Sequence, residues 1–208
     1  MMTTGQGSKW LQALSSEPET SENVSVVAPQ PPTGPQHPQK GVRLRTGSTV
    51  PRQEVQGPAP AFWVMGTHGG AGESTLAALL DGAVGTERTW PIRAERPPTP
   101  DQDRVVLVCR SNMTGLRSAQ QVAIEYASGA LPGVLAGLVI VADAPTKLPK
   151  VLSDMAKILT GTVPHTWRLP WVDTWRRELV PEINDLPRNA KALLDHIQLH
   201  AVAVGNTK

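Results

Sequence analysis

Between an apolar run, Ala61-Phe62-Trp63-Val64-Met65, and a helix-forming run, Leu76-Ala77-Ala78-Leu79-Leu80, the chain places Gly66-Thr67-His68-Gly69-Gly70-Ala71-Gly72-Glu73-Ser74-Thr75. Strand, glycine-rich turn and helix in that order is the setting of a phosphate loop, and Gly72 followed by Ser74-Thr75 has its register. Such a loop commits the chain to a strand whose carboxyl end feeds directly into a helix. It also carries a contradiction, because the residue between Gly72 and Ser74 should be lysine and is Glu73.

A working phosphate loop needs glycines that let successive N–H groups face an anion, and a helix N-terminus that adds partial positive charge. Gly69, Gly70, Ala71 and Gly72 supply the first, and a helix starting near Glu73 the second. It also needs a lysine for the outer phosphates and a hydroxyl for Mg²⁺. Ser74 sits where the metal-binding hydroxyl belongs, with Thr75 next to it, and the lysine is missing. Two unit charges about 4 Å apart interact by about 4 kcal/mol at an effective dielectric of 20. Replacing attraction by repulsion therefore shifts phosphate affinity by several powers of ten. Three readings stay open: a plain strand–turn–helix joint with Glu73 as its own anion, a weak or altered ATP or GTP site with Mg²⁺, and a competent NTPase. His68, whose charge titrates near neutrality, is a candidate phosphate ligand or a turn residue.

The rest of the chain supplies an α/β frame. Val105-Val106-Leu107-Val108 and Gly137-Leu138-Val139-Ile140-Val141-Ala142 are continuously apolar, as strands buried on both faces of a parallel sheet are. Strands are expected at 61–66, 105–110, 137–142 and near 163–169, with a very short one around 89–92. Helices are expected at 73–83, at 115–128 with Thr114 as cap, at 149–160, at 172–179 and at 187–203. The fold class is a short, mostly parallel sheet with helices on both faces. Ligands of such sheets lie at the carboxyl ends of the strands, where residues 66–75, 110–114, 143–146 and 170–173 all fall.

Residues 1–58 read as a disordered Pro/Gln-rich arm ahead of a folded domain over 59–208. One island in the arm, residues 8–15, places Trp10, Leu11 and Leu14 on one helical face, either as incidental apolar residues or as a docking helix for an unknown protein partner. A net charge of +2 gives no argument for nucleic acid or an anionic membrane. No apolar stretch reaches the roughly 18–20 residues that span a bilayer, and no signal core is legible, so a cytoplasmic protein is expected. The single Cys109 lies in an apolar strand and reads as a buried, inert thiol. Arg110 and Arg117 could lend a cation to the glycine loop. His196 and His200 are four apart on a helix but lack the partners of a metal site. No Ser–His–Asp or Cys–His arrangement is legible, so no catalytic residue is assigned.

His68-Gly69-Gly70-Ala71-Gly72-Glu73-Ser74-Thr75 resembles the deviant Walker A loop of the ParA/MinD partition and positioning ATPases, which reads Lys-Gly-Gly-x-Gly-Lys-Ser/Thr-Thr. His68 stands in place of the lysine that acts across that family's dimer, and Glu73 in place of the phosphate-loop lysine. The strand at 105–108 with the helix after it, the strand ending at Asp143, and Arg168-Leu169-Pro170-Trp171 resemble later parts of the family, over roughly residues 60–178. The resemblance implies that Asp143, Pro170 and Trp171 face a nucleotide base, that ATP or GTP with Mg²⁺ is the ligand if there is one, and that a homodimer is the natural assembly. The family would place two strands between the first helix and Val105, one carrying a Mg²⁺-linked aspartate, and this chain is too short there. The loop and the closing Trp167-Arg168-Leu169-Pro170-Trp171 also resemble an uncharacterised actinobacterial family associated with plasmids, conjugative elements and phages. These likenesses imply a catalytically impaired regulatory or adaptor module, with an active ATPase using a substitute cation and a pure scaffold as alternatives.

Overall fold

The computed structural model describes residues 30–44, 47–93, 103–177 and 182–203. Five strands form the main sheet: β2 (Phe62–Gly66), β3 (Ala83–Gly85), β5 (Arg104–Arg110), β6 (Val134–Val141) and β7 (Thr166–Leu169). Their order is β3-β2-β5-β6-β7, and every pairing is parallel. Two further strands, β1 (Arg52–Glu54) and β4 (Trp90–Ile92), pair parallel with each other apart from that sheet. The helices are α1 (Glu73–Leu79), α2 (Met113–Ala127), α3 (Lys150–Thr160) and α4 (Arg188–Ala203).

The alternation of side chains sorts each strand onto two faces. Trp63, Met65, Val105, Leu107, Cys109, Leu138 and Ile140 pack with α2 and α3, through Leu116, Ala119, Ala123, Ala156 and Leu159. Phe62, Val64, Val106, Val108, Val139 and Val141 pack with α1 and α4, through Leu76, Leu194, Ile197 and Ala201. Both faces are dry, which is why β5 and β6 are apolar without interruption. Cys109 is fully buried, and burial pushes its thiol up to about 12, as an inert core cysteine requires.

Four details differ from the sequence reading. The cap of α2 is Asn112 rather than Thr114, its side chain accepting the Gly115 N–H at 2.8 Å. The expected helix at 172–179 is, among the described residues, a single 3₁₀ turn over Thr174–Arg176. Strand β3 occupies the edge of the main sheet within a stretch that reads as too poor in apolar residues for one. The boundary of the arm also moves, because residues 30–44 and 47–58 lie against the domain; residues 1–29, with the Trp10–Leu14 island, lie outside the described residues.

The proline-rich segment docks where helix ends leave carbonyls without partners. The Thr33 hydroxyl donates to Thr160 O at 3.0 Å at the end of α3, with the Thr33 N–H on Pro164 O at 2.8 Å beyond it, and the Gln39 N–H donates to Ala127 O at 2.8 Å at the end of α2. The Tyr126 hydroxyl donates to Gln36 O at 3.0 Å. Glu125 then fixes the next stretch. Its buried carboxylate accepts from Ser48 Oγ, from the Thr49 N–H and hydroxyl at 2.8 Å, from the Val50 N–H at 3.2 Å and from Gln121 Nε2 at 3.1 Å. Burial alone would raise this carboxyl, but the hydrogen bonds from Ser48, Thr49 and Gln121 outweigh it and hold it at about 2, against an ordinary 4.5. Glu125→Ala should cost about 3 kcal/mol, since it strands two backbone N–H groups, and should make residues 47–55 cleavable in limited proteolysis. The folded carboxyl is the more acidic one, so its contribution is complete above pH 4.5 and fades as pH falls toward 2.

Beneath α4, His165 stacks on Trp167 with ring centroids 5.7 Å apart and meets His200 at 4.7 Å, while His196 and His200 lie at 4.2 Å. Burial, then the neighbouring His200 and His196, hold His165 down at about 4 instead of 6.5. A histidine kept neutral by folding stabilises the protein fully above pH 6.5 and loses that contribution as pH falls toward 4. Thermal melts should show this loss between pH 6.5 and 4, and a folded His165→Phe variant should lack that part of it.

Candidate functional site at the glycine loop

Because β2, β5, β6 and β7 are parallel, their carboxyl ends share one edge of the sheet, and the glycine loop leaves β2 at that edge. Gly72 turns the chain into α1 with φ of 102°, a left-handed value that suits glycine and no bulky residue. The Thr67 N–H still reaches Val108 O at 3.0 Å, so the loop starts as a continuation of the sheet.

Glu73 does not extend into solvent from the first turn of α1. Its carboxylate folds back and accepts the Gly66 N–H at 2.8 Å, the Glu87 N–H at 2.5 Å and the Arg88 N–H at 3.1 Å. One side chain thereby joins the end of β2, the start of α1 and the turn after β3. Glu87 and Arg88 both have left-handed backbone, with φ of 54° and 65°, which non-glycine residues seldom adopt. Two such residues in succession are held by the carboxylate that collects their N–H groups. A Cβ on Gly66 would come within 2.6 Å of Glu73 Oε2, so the side chain occupies space that only glycine leaves open.

His68 is a second latch. Its Nε2 accepts the Arg110 N–H at 3.1 Å, which leaves Nδ1 carrying the proton it donates to Gly69 O at 2.8 Å. Gly115 makes room for that ring, since a Cβ there would meet Nε2 at 2.8 Å and Arg110 O at 2.3 Å. Arg110 reaches the loop as its position suggested. Its Nε donates to Gly70 O and its Nη1 to Ala142 O, both at 3.2 Å, so the guanidinium clasps backbone carbonyls. Arg117 lies exposed on α2.

These residues enclose an open groove of about 780 Å³, lined by His68, Gly69, Gly70, Ala71, Gly72, Glu73 and Ser74 with Gly85, Glu87 and Arg88. Ser74 is exposed and Thr75 half-buried. Among the described residues the N–H groups of Gly72, Glu73, Ser74 and Thr75 donate to no acceptor. Asp143, Pro170 and Trp171 do not line this groove. Asp143 lines a separate hollow at the ends of β5, β6 and β7. Among the described residues no group of three or more His, Cys, Asp or Glu is placed to hold a metal ion, and no helix is long and apolar enough to cross a membrane.

Sequence reasoning found the loop, Glu73 and Arg110. It missed the turn Thr86-Glu87-Arg88 and the role of Gly115, because neither carries a pattern that marks it without knowing that β3 lies beside β2. Glu73→Ala should cost about 1–2 kcal/mol, the magnitude of charge-assisted hydrogen bonds at a half-exposed site. Gly66→Ala should cost a similar amount by expelling the carboxylate, and the double variant should cost little more than either alone, as denaturant melts would resolve.

Residues 60–193 match the model of a family of unknown function, DUF6668, and the chain belongs to that family. No curated protein and no solved structure matches it.

Proposed function

We propose that this member of the DUF6668 family is a phosphate-loop-type module in which the protein's own carboxylate replaces the ligand, and that it acts as a non-hydrolysing regulatory or adaptor protein. The observation that carries the reading is the Glu73 carboxylate, bonded to the N–H groups of Gly66, Glu87 and Arg88. A lysine at that position would need a bound phosphate to balance it. A glutamate needs none, and it places negative charge at the first turn of α1, where it is worth about 0.3–1 kcal/mol to the helix. The five-stranded parallel sheet, with the loop at the carboxyl end of β2, is consistent with the ParA/MinD-like likeness of the loop residues. Arg110 supports the non-hydrolysing form of that likeness, because its guanidinium is engaged by Gly70 O and Ala142 O.

On this reading any ATP or GTP binding with Mg²⁺ through Ser74 is weak, and the working output of the domain is contact with a protein partner. A place on a mobile element fits an adaptor of this kind and rests on the resemblance of the loop and the Trp167–Trp171 segment.

Calorimetric titration with ATP and GTP, with and without Mg²⁺, tests the reading. The parent should show no binding in the micromolar range, and Glu73→Lys should gain at least about tenfold in affinity as repulsion becomes attraction. Micromolar binding by the parent, with Mg²⁺-dependent turnover lost in Ser74→Ala, would establish an active ATPase instead.

A further inference from the structure

A second hollow opens where β5, β6 and β7 end, on the side covered by α2 and α3. It measures about 350 Å³, and its floor and walls are aliphatic: Ile140, Ala142, Leu148, Leu152, Ala156 and Leu169. The rim carries Ser111, Asn112, Asp143, Lys147 and Arg168. Ile140, Leu148, Leu152 and Ala156 belong to the α2–α3 core, whereas α1 packs on the other face, and no residue lines both this hollow and the glycine-loop groove. The two are separate sites on one sheet edge. A volume near the lower end of the roughly 300–1,000 Å³ range of ligand pockets suits a small molecule rather than a nucleotide.

The charges on the rim select the ligand. Three of the polar groups are already engaged. The Asn112 Oδ1 accepts the Gly115 N–H, its Nδ2 donates to Asp143 Oδ2 at 3.3 Å, and the Asp143 N–H donates to Ser111 Oγ at 3.0 Å. The side chains of Lys147 and Arg168, both exposed, make no hydrogen bond or ion pair among the described residues. Nearby cations are occupied, Lys150 and Lys157 by Asp154 and Arg110 by carbonyls.

An aliphatic pocket with two exposed cations among its lining residues, both without a side-chain partner among the described residues, fits an amphipathic anion. The Arg168 guanidinium matches a carboxylate in bidentate geometry, with Lys147 as a second point charge. Asp143 on the same rim disfavours a dianion such as a phosphate monoester. We infer that this hollow binds a small aliphatic monocarboxylate, its chain between α3 and the end of β6 and its carboxylate held by Arg168 and Lys147.

Calorimetry on the full chain with hexanoate, hexan-1-ol and hexylamine tests the assignment. Hexanoate should bind at a single site, hexanol more weakly, and hexylamine not at all. Arg168→Gln, at an exposed position, should weaken hexanoate about tenfold, and Lys147→Gln by less. Leu152→Trp, which fills the hollow, should abolish binding while the thermal melt stays parent-like; if that variant does not fold, Arg168→Gln decides. Glu73→Lys should bind hexanoate as the parent does, so the outcome stands apart from that at the glycine loop. The assignment is overturned if hexanoate does not bind at millimolar concentration, if hexylamine binds as well, or if a folded Arg168→Gln variant binds hexanoate unchanged.

Discussion

A parallel sheet that is dry on both faces must be covered on both faces, and this requirement organises the rest of the chain. In β5 the residues from Val105 to Cys109 are fully buried, and in β6 all eight residues are buried. α1 and α4 cover one face. The other has only α2 and α3, because the connection from β3 back across β2 to β5 contains no helix among the described residues. Trp90, Val50, Ile92 and Val55 fill that gap in the α2–α3 core. The β1–β4 pair therefore takes the place of a crossover helix, and β1 is held by its pairing with β4, by Arg52 Nη2 donating to Ala130 O at 2.9 Å and by the Glu125 bonds to Thr49 and Val50 just before it.

Two carboxylates do comparable work at two ends of the domain. Glu125 collects the N–H groups of Thr49 and Val50, and Glu73 those of Gly66, Glu87 and Arg88. In each case an anion inside the fold satisfies backbone donors that irregular chain leaves unpaired, a cost the protein would otherwise carry at about 1–3 kcal/mol per group. The environments differ. Glu125 is fully buried among five donor groups, of which those of Ser48, Thr49 and Gln121 lower its proton affinity, whereas Glu73 is half-exposed on the wall of an open groove. One holds an architectural join, and the other shapes a surface.

The sequence made the frame legible where periodicity is strong. The uninterrupted apolar runs at 105–110 and 137–142 locate the two central strands, and the glycine loop locates β2 and the start of α1. The short strand at Trp90–Ile92 was also readable. The placement of residues 30–44 and 47–58 was not, because composition reports the propensity to form a core and is silent on docking against one. What places Ser48–Val50 is Glu125, seventy-five residues away from Val50, and what places Thr33 and Gln39 are carbonyls at the ends of α3 and α2. β3 escaped for a related reason, since three residues with an exposed centre carry no period and gain their register only from β2. At the site, Glu73 could be singled out by its offence against the loop pattern. Its partners could not, as backbone N–H groups at Glu87 and Arg88 carry no side-chain signature.

The choice of glutamate at 73 has a structural logic that a neutral residue would lack. Helix α1 spans seven residues, well below the length at which isolated helices are stable, so it depends on Leu76 and Leu80 in the core and on its first turn. In a phosphate loop with lysine, the ligand itself completes that first turn and the neighbouring strand end. Here the Glu73 carboxylate, carried by the first residue of α1, completes the strand end instead, tying β2, α1 and the turn after β3 into one unit. A displacing phosphate would have to break bonds to an acceptor that is covalently attached and always present, while among the described residues the N–H groups of Gly72, Glu73, Ser74 and Thr75 have no acceptor. The order of this sheet edge is thus built into the chain by the Glu73 hydrogen bonds, which hold it whether or not anything is bound beside it.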